Sequence, residues 1–137
     1  MRLRPFAATV WLIAGVLLLA VCLNASRGTA GAAAQADLDR GQYLTGDAGQ
    51  CSDCHGVGLK GAPLMFAPKS LPPGVPFQDA APNIAGLTMF ASDDDAVKFF
   101  ITGLLPNGQK ARPPMPQYRF NELDARAIVA YLRSLKT

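Results

Sequence analysis

Three side chains within five residues, Cys51, Cys54 and His55, are spaced to do chemistry together. The run Cys51-Ser52-Asp53-Cys54-His55 reads C-x-x-C-H, the attachment signature of a c-type haem. Two thiols at this spacing each form a thioether to one haem vinyl group. The His that follows is then held under the iron as proximal ligand. The pattern occurs once, so the chain is expected to carry one covalent haem c.

Other uses of the same residues fit less well. A structural zinc site takes four ligands, usually with a second Cys or His pair. His55 is the only His, and the third Cys, Cys22, lies in an apolar N-terminal run. A thioredoxin-like pair belongs to a βαβ context, and the chain shows no convincing strands. A Cys51–Cys54 disulfide leaves His55 without a role.

With one His in use, bis-His ligation within the chain is excluded. Met is the other common axial ligand in cytochromes c. Met65, Met89 and Met115 are the candidates after the N-terminal segment. Met115 is favoured, because Arg112-Pro113-Pro114-Met115-Pro116 is expected to hold the backbone extended and stiff around one thioether. Met65 and Met89 read as core filler. The remaining possibility is an open iron site.

Three helical segments must position these groups. The first is expected from about Asp37 to Thr45, with Leu38 and Gly41 inward and Gly46 as its stop. The second starts at Ser92 as N-cap with Asp95 as its partner, carries Val97, Phe100 and Ile101 inward, and ends at Gly103. The third is capped by Asn121, and Leu123, Ala127, Tyr131 and Leu135 recur at i+4, joined by Ile128 and Leu132. Ten of the eleven prolines lie between Pro63 and Pro116, so the segments between these helices are long loops. Wrapping a flat cofactor is a sufficient reason for loops of that length. Asp93-Asp94-Asp95 reads as acids favoured in a helix's first turn.

The N-terminus points to export. Arg2 and Arg4 precede an uncharged run from Phe6 to Leu23, and small residues follow to Ala36. That order describes a secretory signal over residues 1–36, with Ala34-x-Ala36 the preferred cleavage site. An uncleaved anchor is the alternative, since the apolar run is long enough for about 18 residues to span a bilayer. In either case the haem motif faces the export side. Lipidation at Cys22 is disfavoured, because Val21 stands where a small residue is wanted. Without Arg2, Arg4 and Arg27 the remainder has ten Lys/Arg against ten Asp/Glu. The chain carries no basic patch with interleaved aromatics, and nucleic acid is not an expected partner. Residues 37–137 form one small domain, marginal without a cofactor in its core.

The motif, the Pro-flanked Met about sixty residues later and the terminal amphipathic stretch Ala127–Leu135 together resemble a class I monohaem cytochrome c. The likeness is to bacterial periplasmic cytochromes and the cytochrome modules of periplasmic dehydrogenases. Gly41-Gln42-Tyr43-Leu44, Ala81-Pro82-Asn83-Ile84 and Gln117-Tyr118 also carry it. The resemblance implies an all-α fold, three main helices and long Pro/Gly-rich loops around one covalent haem, with first and last helices crossing near Gly41. It implies Cys51 and Cys54 as thioether sites, His55 as proximal and Met115 as distal iron ligand. The family's Gly-Pro carbonyl for the His ring N–H is interrupted here as Gly61-Ala62-Pro63. Arg112, Tyr118 and Asn83 are the candidates to bond a propionate.

The expected function is one-electron transfer in the periplasm between a donor dehydrogenase and a terminal oxidase or other acceptor. The membrane is a partner only if the N-terminal segment is retained. A dedicated subunit of a dehydrogenase complex is the main alternative, with Pro72-Pro73-Gly74-Val75-Pro76-Phe77 as its apolar contact. A haem enzyme or gas sensor needs an open iron site and distal acid/base groups, and the absence of a second His speaks against it.

Overall fold

Gly41 allows a close helix–helix approach. A Cβ there would run into the Ala127 main-chain carbonyl and lie 2.6 Å from the Tyr131 Cβ. The first helix, α1 (residues 34–43), therefore meets the last, α4 (Glu122–Ser134), with no side chain between them at Gly41. Arg40 reinforces the contact by pairing with Asp124 in the first turn of α4 at 2.9 Å. The computed structural model describes residues 31, 32 and 34–137. Residues 37–137 form one unit. The readings of a signal or anchor over residues 1–36, and of Cys22, fall almost wholly outside the described residues. Among the described residues no helix is long and apolar enough to cross a membrane.

The first helix does not stop at Gly46 as expected. It widens into a π-type turn, Leu44–Ala48, and the Thr45 hydroxyl donates back to the Gly41 and Gln42 carbonyls at 2.9 and 3.1 Å. Such back-bonding satisfies the hydroxyl inside a helix and lets Thr45 be buried. Gly49 closes the turn through its N–H to the Leu44 carbonyl at 2.9 Å.

A short helix, α2 (Cys51–His55), follows directly and was not expected. After it, Ala62–Pro63 (β1) pairs antiparallel with Ala80–Ala81 (β2). This two-residue ladder pinches shut the long loop between them, helped by Leu64 N–H to the Asp79 carbonyl at 2.7 Å.

The two longer helices begin and end where the sequence indicates. In α3 (Asp93–Thr102) the Ser92 hydroxyl accepts the Asp95 N–H at 3.1 Å, and Gly103 closes the helix at φ 70° with its N–H on the Phe99 carbonyl. The Asp95 carboxylate bonds the Ser92 hydroxyl rather than its main-chain N–H. In α4 the Asn121 side chain accepts from the Asp124 N–H at 2.9 Å. Most of the expected α4 face is inward: Ala127, Ile128 and Leu132 are buried together with Ala125 and Val129, and Tyr131 and Leu135 pack against them, whereas Leu123 is 81 % exposed. In α3, Phe99 is buried beside Val97 and Phe100. With four helices and almost no strand, the domain is all-α and has the architecture of the class I cytochrome c fold.

Candidate haem site

The helices and loops surround an apolar cavity of 310 Å³. His55, at the end of α2, is buried to 5 % exposure and lines it. Its Nδ1 lies 2.8 Å from the Pro82 carbonyl. A carbonyl only accepts, so Nδ1 carries the proton and Nε2 is left with a free lone pair. This supplies the contact that the interrupted Gly-Pro pattern left open. It comes from the segment quoted for the resemblance, 27 residues beyond His55. The same loop is stiffened by Asn83, whose side-chain oxygen accepts the Ala85 N–H at 2.9 Å.

Cys51 and Cys54 also line the cavity, one turn apart on α2. Burial pushes the Cys51 thiol above its usual range; a main-chain hydrogen bond pulls the other way, and the neighbouring Cys54 adds to the rise.

Met115 is half-buried and lines the same cavity. Its backbone is not extended as expected. The Met115 N–H bonds the Arg112 carbonyl at 3.2 Å, so Pro113 and Pro114 occupy the middle of a turn. Proline suits such a position because its φ is fixed in advance. Of the other methionines, Met65 is 92 % exposed and is not core filler. Met89 is half-exposed and touches the cavity.

Five aromatic rings build one wall. Phe90 meets Phe99 at 5.5 Å, Phe99 meets Phe100 at 5.3 Å, Phe100 meets Phe120 at 6.4 Å, and Phe120 stacks on Tyr118 at 5.2 Å. All five line the cavity. Leu44, Leu87, Ile128 and Leu132 are among the aliphatic residues that add to the lining. Among the described residues, Arg112 is the one Lys or Arg along it. Of the other two propionate candidates, Tyr118 uses its hydroxyl proton on the Gly49 carbonyl at 2.8 Å, and Asn83 lies outside the lining.

A flat apolar macrocycle with two carboxylates fits this set: an apolar slot, two thiols at one end, a buried imidazole with a free Nε2, a thioether and one guanidinium. The comparison with family models agrees. The Cytochrome c model matches residues 38–136, and the chain belongs to that family as a class I monohaem cytochrome c. Comparison with curated proteins and with solved structures returned no match. Membership carries a covalently bound haem c, one for the domain, and Cys51, Cys54 and His55 form its C-x-x-C-H motif. It also carries haem-based electron transfer as the general function.

Proposed function

We propose that the chain is a periplasmic one-electron carrier with His55 and Met115 as the axial ligands of its haem. The carrying observation is the His55–Pro82 contact, which fixes the proton on Nδ1 and leaves Nε2 for a metal in the cavity that Met115 also lines. Bound haem supplies an iron centre that takes up and returns one electron. Cys51 and Cys54 hold it by two thioethers. His55 would contribute nitrogen and Met115 sulfur, and a Met ligand would raise the potential relative to His or thiolate. The aromatic and aliphatic walls keep water out and hold the local dielectric low. Arg112, on the cavity lining, would be the cation available to the haem carboxylates. Were His55 and Met115 both to hold the iron, no position on it would be left for a substrate, which supports electron transfer rather than catalysis. Donor and acceptor are a periplasmic dehydrogenase and a terminal oxidase or other redox protein.

A second reading, the dedicated subunit of a dehydrogenase complex, draws on one observation. Leu71 and Val75, in the loop between β1 and β2, are exposed apolar residues in a Pro-rich stretch. A stable partner covering that loop co-purifies with the protein; a free carrier purifies alone.

A redox titration of the exported, haem-loaded protein tests the main reading. It should show a single one-electron transition, and Met115→Ala should move it to lower potential. An unchanged potential in Met115→Ala would count against sulfur ligation by Met115.

A further inference from the structure

We propose that Tyr118 is a positioning residue that latches the Met115 loop shut through its hydroxyl bond to the Gly49 carbonyl. The inference rests on Met115 being the distal ligand.

The bond is 2.8 Å long and joins residues 69 apart in sequence. Its acceptor is firmly placed. Gly49 is tied to the Leu44 carbonyl by its own N–H at 2.9 Å, and a Cβ on it would lie 3.4 Å from the Cys51 Sγ. The latch therefore closes against a residue two positions before the first attachment cysteine. Its donor is equally well aimed. The Tyr118 ring stacks on Phe120 at 5.2 Å with an interplanar angle of 22°, and the Phe120 N–H bonds the Phe100 carbonyl in α3 at 3.0 Å. The ring is thus oriented from behind by a fixed element.

On the other side of Met115 the loop is held by the main chain. The Gln78 N–H donates to the Pro113 carbonyl at 2.8 Å. The Met115 N–H is used inside its own turn, on Arg112. The segment after Met115 is held by two side-chain bonds, a long one from Gln117 Nε2 to the Gly103 carbonyl at 3.4 Å and the shorter Tyr118 bond, which alone ties it to the haem-attachment segment. Burial keeps that hydroxyl protonated, and so a donor, across the ordinary pH range. Releasing the latch leaves the segment after Met115 on the longer Gln117–Gly103 bond alone, so it opens more readily while Gln78 still holds the segment before it.

The test is displacement of the distal sulfur by imidazole in the ferric, haem-loaded protein. The weak far-red band of a sulfur–iron bond reports it, and the limiting rate at saturating imidazole is the rate of loop opening. Tyr118→Phe keeps the ring and its stack but removes the hydroxyl. It should open roughly fivefold faster, the factor that one ordinary hydrogen bond represents. Val129→Ala, a buried position on α4 away from the cavity lining, supplies a matched loss of overall stability. It should open at the wild-type rate. A wild-type rate in Tyr118→Phe, or equal acceleration in Val129→Ala, would overturn the latch. A wild type with no far-red band, indistinguishable from Met115→Ala, would instead remove the distal-ligand reading and the latch together.

Discussion

The Pro82 carbonyl accepts the Nδ1–H of His55 at 2.8 Å, from a loop 27 residues further along the chain. A ring that donates in this way is fixed in orientation and made more electron-rich at Nε2. Asn83 holds the loop that presents the carbonyl, through its bond to the Ala85 N–H. Asn83→Ala should therefore weaken the contact and raise the reduction potential. A net change of about 0.5 kcal/mol is roughly 20 mV for one electron. A potentiometric titration of the two proteins checks the direction.

Gly41→Ala should be strongly destabilising. The added methyl meets main chain at Ala127 and the Tyr131 Cβ, neither of which can swing aside. Overpacking of this kind costs about 1–3 kcal/mol, and a main-chain obstacle belongs at the upper end. Urea unfolding of the haem-loaded protein gives the value. A loss below about 0.5 kcal/mol is within the range of ordinary surface changes and would mean that α1 and α4 are not in close contact there.

Arg133 ties the terminal helix to the cavity wall. Its guanidinium pairs with Asp93 at 2.7 Å and donates to the carbonyls of Gly86, Leu87 and Phe90 at 2.8, 3.1 and 3.3 Å. Bonds from a charged donor are worth about 1.5–3 kcal/mol, and Arg133→Gln should lose an amount in that range. Arg133→Lys keeps the charge without the planar fork, so it should recover only part of the loss. The same unfolding experiment ranks the three proteins.

Alkaline pH should loosen the fold through Tyr118. Burial, first, and the adjacent Cys51 and Cys54 thiols, second, raise its pKa above the usual 10.0. In the haem-loaded protein the cysteines are thioethers and only the burial contribution remains. The folded state then keeps a proton that the unfolded chain has already lost, so stability falls as pH rises beyond about 10 and through the raised value. Tyr118→Phe should be less stable than wild type at neutral pH and show a flatter decline above pH 10. Parallel decline in both proteins would place the sensitive group elsewhere.

Both ends of α3 and the start of α4 were legible because their signals are local, whereas the first helix runs on past Gly46. Ser92, Gly103 and Asn121 cap with their own atoms, and each does so in the structure. The inward faces were less so. Leu123 fits an i+4 series with Ala127 and Tyr131, yet it points to solvent, because the face packed on the core is the one through Ala125, Ile128 and Leu132. The motif Cys51-Ser52-Asp53-Cys54-His55 declared the attachment chemistry outright. The Pro82 carbonyl left no such mark, since any residue has a carbonyl and only the path of the loop brings this one to His55. The turn at Met115 was hidden by its prolines, which suit an extended segment and a turn equally well. Tyr118 and Gly49 are joined only by the folded topology.

The optical spectrum of the exported, haem-loaded protein, wild type beside Met115→Ala, tests the axial assignment most directly. The ferric wild type should show the weak far-red band of a sulfur–iron bond, and its reduced form should not bind CO. The variant should lose the band and bind CO once reduced. A wild type without the band that binds CO readily would contradict a six-coordinate carrier and make an open, ligand-binding iron site the better description.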